Sequence, residues 1–421
     1  VAAFRVLVVD DSAFMRKVFS DIIDGDPDFS VIGTAVNGRE ALEKVAALKP
    51  DAVTMDLEMP VMNGYEALRS IMTSHPVPVI MLSGISEVGL RETIKALEFG
   101  AFDFIHKPDA GSIDIGLTAE QLLARLRAAV QSKRRFLPPD SPMPTSRIPP
   151  KTVPLLGGPE RNRFPGTGPP KPEPRPAKEK GLREPVREPA GKRKPALSAP
   201  PGRKQQPERA AGMEAAAAGT PVHKPHPRRD YRDIVAIGTS TGGPRALHTV
   251  LTALPPDLRA PVLVVQHMPP KFTLSLAQRL DSFAALNVRE ASDGEPLLAG
   301  VVYIAPGGRH MTVARGRDGY RIRLSDEAAR GGHRPSVDVL FESLLDCPDL
   351  RRHVVIMTGM GSDGAEGMKA LAEQGISTAI AESEETCVVY GMPRSAVERG
   401  GAREVLPLQD IAPRLVDAVE K

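Results

Sequence analysis

Between Arg134 and Asp230 the chain carries 23 of its 42 prolines, and this run governs how everything else can fold. Proline fixes φ and has no backbone N–H, so a stretch this rich in it continues neither a helix nor a central strand. The same 97 residues hold 21 Lys/Arg against 9 Asp/Glu and two aromatics, Phe136 and Phe164. So little apolar surface cannot offset the entropy of ordering, and the segment reads as a disordered linker. The 421-residue chain is thereby divided into residues 1–133, a linker over 134–230, and residues 231–421. Charge follows the same division. The linker carries +12 and the whole chain only +3, so the two flanking parts together carry −9.

Cys347 and Cys387 are the only cysteines, which allows no disulfide framework and no zinc spacing. No run reaches the ~18 apolar residues of a membrane span. The N-terminal residues lack a signal-peptide profile and enter a strand at once. These features point to a soluble cytoplasmic protein. A +12 segment could make weak contact with an anionic membrane or act as a solvated spacer; interrupting glutamates and scarce aromatics favour the spacer.

Residues 1–133 alternate strand and helix. The strand-like runs are Arg5–Val9, Val31–Val36, Ala52–Met55, Val79–Leu82 and Phe102–Ile105, with a last helix near Thr118–Ser132. Five βα units predict a five-stranded parallel sheet of flavodoxin-like topology, whose ligands bind beyond the carboxyl ends of the strands. Asp10 and Asp11, Asp56, Ser83 and Lys107 stand at such ends. One Asp in a turn would mean little. Together they suit a Mg²⁺ ion at Asp10, Asp11 and Asp56, a phosphoryl group on Asp56, and Ser83 and Lys107 on its oxygens.

Residues 231–421 repeat the alternation. Strand-like runs are Ile234–Ile237, Val262–Val265, Val301–Ile304, Val354–Met357 and Thr378–Ala381. Helical stretches cover Pro244–Ala253, Phe272–Phe283, Ala365–Glu373 and Ile411–Val419. Met311–Ala314 and Tyr320–Leu324, joined by "RGRDG", read as a hairpin. The expectation is a doubly wound, mostly parallel α/β domain with a β-hairpin. In "AIGTSTGGP" Ser240 follows a strand and precedes a helix with Pro244 in its first turn. Gly242 and Gly243 would let a substrate approach the backbone. The stretch lacks the lysine of a phosphate loop and does not satisfy G-x-G-x-x-G. It fits G-x-S-x-G, a weak pattern by itself, so Ser240 is either a nucleophile or a turn serine. His267 follows a second strand and Asp363 a third. Loops after parallel strands share one edge, so these three residues can form a triad in the order Ser, His, Asp, which differs from the Ser, Asp, His order of α/β-hydrolases. His310 and His333 could rim the same crevice or be structural.

Two resemblances add to this reading. "VLVVDDS", "TMDLEMPVMNG", "MLSG" and "HKP" resemble the receiver domain of two-component response regulators. That resemblance implies Asp56 phosphorylated by a histidine kinase with Mg²⁺ bound, and Phe104 as the aromatic that reorients with Ser83. "IGTSTGGP", "VVQHMPPKFT", "YIAPGGRHM", "HRPSVDVLF", "MTGMGSDGAEGM" and "CVVYGMPRSA" resemble the catalytic domain of the CheB family of chemotaxis protein-glutamate methylesterases. This resemblance implies Ser240, His267 and Asp363 as the triad, with the Thr241 and Met360 backbone N–H groups as candidate oxyanion donors. It further implies chemoreceptor glutamate methyl esters as substrates, a parallel deamidation of glutamine, and no cofactor for the esterase step. The receiver is implied to cover the esterase cleft until phosphorylated. It also implies a linker much shorter than the 97 residues present. A binding module with an idle triad is the competing class. A transcriptional regulator has no helix-turn-helix to support it, and no nucleic-acid partner is expected.

Overall fold

The computed structural model of the chain describes residues 3–84, 86–107, 115–132, 224 and 226–420. Most of the expected linker lies outside the described residues, which belong to one compact unit. In the N-terminal part, β1 (Phe4–Val9), β2 (Phe29–Ala35), β3 (Ala52–Asp56), β4 (Val79–Ser83) and β5 (Asp103–His106) alternate with α1 (Ala13–Asp24), α2 (Gly38–Leu48), α3 (Gly64–Ser74), α4 (Glu87–Phe99) and α5 (Ile115–Ser132). All pairings are parallel, in the order β2-β1-β3-β4-β5. Val6 to Val9 and Val79 to Leu82 are fully buried, as continuous apolar strands covered on both faces should be. Polar side chains start the helices. Ser12, Asn37 and Ser86 accept N–H bonds at helix N-termini, and Asn63 with Glu66 forms a capping box before α3. The chain order reverses between β1 and β3, so a crevice opens at their carboxyl ends.

The C-terminal part holds β6 (Asp233–Thr239), α6 (Gly243–Ala253), β7 (Val262–Gln266), α7 (Phe272–Asp281), β8 (Asn287–Glu290), β9 (Val301–Ile304), β10 (His310–Gly316), β11 (Gly319–Ser325), α8 (Val337–Ser343), β12 (Arg351–Ile356), α9 (Ala365–Glu373), β13 (Thr378–Glu382), α10 (Met392–Glu398), β14 (Glu404–Leu406) and α11 (Leu408–Glu420). Seven strands form one parallel sheet in the order β14-β13-β12-β6-β7-β9-β8. The strands β10 and β11 make the separate antiparallel hairpin. Alternate residues of β6 and β7 face opposite layers. Val235, Ile237, Val262 and Val264 pack with α6, α7 and α11; Ile234, Ala236, Leu263 and Val265 pack with α8, α9 and α10. Here the switch point lies between β6 and β12, the central pair.

The first of these layers continues into the N-terminal part, where Leu90, Ile94 and Leu97 of α4 join the cluster containing Phe272, Leu276 and Ala277 of α7. Upstream of β6, Arg228 exchanges backbone hydrogen bonds with Ala299 at 3.2 and 2.8 Å. No helix among the described residues is long and apolar enough to cross a membrane.

Candidate active site and phosphorylation site

Three loops meet at the carboxyl edge of the β12–β6–β7 strands. Ser240 follows β6, His267 follows β7, and Asp363 lies in the loop after β12. The His267 N–H donates to the Thr239 carbonyl at 3.2 Å, and the Ser240 N–H to the Thr358 carbonyl at 3.0 Å. Gln266, buried at the end of β7, ties the first two loops together. Its amide nitrogen donates to the carbonyls of Ser240 at 3.0 Å and His267 at 3.3 Å. The glycines after Ser240 serve a different purpose from the one expected. A Cβ on Gly243 would stand 1.9 Å from the Gln266 side-chain oxygen, and one on Gly242, where φ is +80°, 2.7 Å from Val388. The absent side chains make room for the protein's own Gln266 and Val388.

His267 and Asp363 are in direct contact, with Nε2 to Oδ2 at 2.7 Å. The Asp363 carboxylate accepts three further hydrogen bonds: from the Val337 N–H at 2.7 Å, the Asp338 N–H at 3.0 Å and the Ser336 hydroxyl at 2.8 Å. Burial works against its charge, but the bond from His267 and the backbone donors outweigh it and hold the carboxyl well below the usual range. An ionised Asp363 accepts, so Nε2 of His267 carries the proton. The Nδ1 atom of His267 is left with the lone pair; it is buried and makes no hydrogen bond to any described residue.

Behind this pair, the two other histidines separate in role. The His333 ring stacks on His267, with centroids 3.8 Å apart and planes 5° from parallel. Burial and the adjacent His267 push His333 down to about 4, so it is neutral at physiological pH. His310 is buried further back; its Nδ1 accepts the Ser336 N–H at 3.3 Å and its Nε2 faces the Ala328 carbonyl at 3.1 Å. It supports Ser336, which in turn holds Asp363. The sequence reading missed Ser336, although "HRPSVD" carries the signal of a helix N-cap ahead of apolar residues. It missed Gln266 and Thr358 as well, because amide and hydroxyl clamps have no sequence pattern.

The candidate oxyanion donors flank this edge. Thr241 follows Ser240, and Met360 sits in the β12 loop one residue past Gly359, whose Cβ would lie 2.8 Å from the Ser240 Cβ. Neither the Thr241 nor the Met360 backbone N–H donates to another described residue. A cavity of about 500 Å³ opens beside Met360, walled by Gly361, Tyr390 and Arg394 and by Arg127 of α5. Elements of the N-terminal part come close here. The Thr241 hydroxyl donates to Asp103 at 2.6 Å, and Arg125 donates to the same carboxylate oxygen at 3.1 Å. Phe104 packs on Phe272 of α7 with centroids 4.6 Å apart, and Arg279 pairs with Glu98 at 2.9 Å.

At the β1–β3 crevice, Asp10, Asp11 and Asp56 offer carboxylate oxygens that all lie within 4.8 Å of one another. Such an all-oxygen cluster fits a hard divalent cation. Lys107 bridges Asp10 and Asp56 at 2.7 Å each. Burial pushes the Asp56 carboxyl up to about 6 against the pull of Lys107. Gly64 must be glycine, since a Cβ would stand 1.9 Å from the Asp56 carbonyl oxygen. The buried Ser83 hydroxyl contacts Thr93 at 2.6 Å and the Gly84 carbonyl at 3.1 Å.

The chain matches two family models, the response regulator receiver domain over residues 6–113 and the CheB methylesterase over residues 235–415. It is similar to the protein-glutamate methylesterase/protein-glutamine glutaminase of Geobacillus kaustophilus, 44% identical over 416 residues, covering 99% of this chain and 98% of that protein. The Bacillus subtilis protein of the same name is 43% identical over 418 residues, covering 99% of each. Such coverage makes these relatives equal in extent to this chain, so the implied shortness of the family linker does not apply to them. Among solved structures, the Thermotoga maritima CheB methylesterase catalytic domain is 43% identical, covering 45% of this chain and all of that one, with a TM-score of 0.44. With a receiver model over the first sheet, a methylesterase model over the second, and relatives aligned from end to end, the chain belongs to the CheB family of receiver-linked methylesterases.

Proposed function

We propose that this protein hydrolyses glutamate methyl esters, and deamidates glutamines, on chemoreceptors, and that phosphorylation of Asp56 releases this activity. The single observation that carries the catalytic reading is the His267 Nε2–Asp363 contact of 2.7 Å, which leaves a buried imidazole nitrogen free on the edge that holds Ser240. His267 Nδ1 removes the proton from the Ser240 hydroxyl as Oγ attacks the ester carbonyl. The oxyanion that forms is met by the N–H groups of Thr241 and Met360. Methanol leaves with the proton held on Nδ1. Water then attacks the acyl-enzyme, giving one proton to Nδ1, which passes it to Ser240 Oγ as the acyl bond breaks; the hydroxyl is restored and the released acid loses its remaining proton to solvent as the glutamate carboxylate. Glutamine follows the same course with ammonia as the leaving group. Asp363 keeps the imidazole in the required tautomer and stabilises its cation.

In the receiver, Asp10, Asp11 and Asp56 would hold Mg²⁺, which would supply charge neutralisation for phosphoryl transfer from a histidine kinase to Asp56. The contacts of Asp103 with Thr241 and of Phe104 with Phe272 support inhibition through the domain interface, with the switch aromatic lying in it. Inhibition that rests on the interface depends on the linker only for local concentration, so cutting the linker raises basal activity. Methanol release from methylated receptor membranes tests the whole reading, with and without acetyl phosphate and Mg²⁺. Release that rises with the phosphodonor and vanishes in Ser240→Ala is expected. Release that persists in Ser240→Ala removes Ser240 as the nucleophile; release indifferent to the phosphodonor removes the switch.

A further inference from the structure

Glu382, the last residue of β13, has no exposed surface and plays no part in the chemistry described above. Burying a carboxyl is costly unless donors satisfy it. Two donors do. Its Oε2 accepts the Thr358 N–H at 2.8 Å, and its Oε1 accepts the Thr386 hydroxyl at 2.9 Å. The Thr386 hydroxyl itself accepts the Leu408 N–H at 3.0 Å, so its own hydrogen is free to point at Glu382. The ladder between β12 and β13 ends at the pair Ile356 and Ala381. Beyond it, the Glu382 side chain replaces the missing strand and takes a backbone N–H of the departing loop. The neighbours that bear on its ionisation are Arg245 on α6 and the Cys387 thiol of the following loop; burial dominates and pushes the carboxyl up to about 7.

Thr358 carries this hold to the nucleophile. Its carbonyl accepts the Ser240 N–H at 3.0 Å. Its hydroxyl donates to the Thr241 carbonyl at 2.9 Å and accepts the Val389 N–H at 3.0 Å. Thr358 therefore holds the peptide that precedes the reacting serine and the peptide that follows Thr241, and Thr358 is itself held by Glu382. We propose that Glu382 is a positioning residue for the nucleophile, acting through Thr358 on the backbone of Ser240 and Thr241. This rests on the reading of Ser240 as the nucleophile.

The test uses the full chain with acetyl phosphate and Mg²⁺ and measures methanol release from methylated receptor membranes. Ser240→Ala is read first; if it still releases methanol, the nucleophile reading fails and this proposal falls with it. With that control inactive, Glu382→Ala is expected to lower kcat about ten-fold with KM within about two-fold, since small misplacements of reacting groups cost rate. Thr358→Val is expected to do the same, and the double variant to be no slower than the slower single, because the residues act in one chain of contacts. Glu382→Gln, which can still accept the Thr358 N–H, is expected to recover kcat to within about three-fold. Circular dichroism corrects every rate for the folded fraction. The proposal is overturned if Glu382→Ala stays within two-fold of the parent, if its loss matches its unfolded fraction, if the two single effects multiply, or if Glu382→Gln is as slow as Glu382→Ala.

Discussion

Replacing Asp363 by asparagine tests the geometry at its most demanding point. The carboxylate accepts four donors, two on each oxygen: His267 Nε2 and the Val337 N–H on Oδ2, Ser336 Oγ and the Asp338 N–H on Oδ1. Asparagine has one acceptor oxygen and a donor NH₂. With the oxygen toward His267, the NH₂ faces the Asp338 N–H, and a buried backbone donor loses its partner. With the NH₂ toward His267, the imidazole must accept at Nε2, its proton moves to Nδ1, and the base is lost. The first arrangement costs about 1–3 kcal/mol of stability for the orphaned donor. The second costs up to about 10⁴-fold in kcat, the scale for wrong-tautomer control of a catalytic histidine, or about 5 kcal/mol of transition-state stabilisation. We expect a fall of 10²- to 10⁴-fold in methanol release per folded molecule, on the order expected from these two terms. Stability should shift with pH in a defined sense. The folded carboxyl is depressed, so its stabilisation is present above the ordinary carboxylate value of 3.8 and fades as pH falls below it. The parent should therefore lose melting temperature on acidification more steeply than Asp363→Asn. A kcat within ten-fold of the parent, with the variant fully folded, would refute the assignment of Nδ1 as the base.

Other perturbations have equally definite outcomes. Ser336→Ala removes a donor to Asp363 and the N-cap of α8; it should lose about 1 kcal/mol in denaturant titration and several-fold in kcat. His333→Ala should lower kcat by removing the ring stacked on His267, and His333→Phe should recover part of it, as steady-state kinetics would read. Asp56→Asn should abolish stimulation by acetyl phosphate. It should also raise the melting temperature at pH 8 more than at pH 4, because the folded carboxyl holds its proton up to about 6 and stability falls as pH rises from 3.8 through that value. Glu98→Ala breaks the pair with Arg279 and should raise unstimulated methanol release while reducing the ratio gained on adding the phosphodonor.

Much of this protein was legible because parallel strands are buried on both faces. Val79–Ser83 and Val262–Gln266 stand out as unbroken apolar runs, and the polar residue that ends each run is driven to the sheet edge, where ligands bind. Asp56, Ser240 and His267 could be placed on that ground alone. Short edge strands left no such trace. β8 spans Asn287–Glu290 with Val288 its one buried residue, and β14 has none, so pairing rather than composition defines them. Tertiary structure alone decided which histidine nitrogen is free, since that depends on which ring atom the Asp363 loop reaches. It also decided that the glycines after Ser240 accommodate Gln266 and Val388, that Thr241 meets Asp103, and that Glu382 completes a hydrogen bond left open where two strands part. These are contacts between residues far apart in the chain. A one-dimensional pattern records burial, which follows from local composition; it does not record partners, which follow from how the layers close.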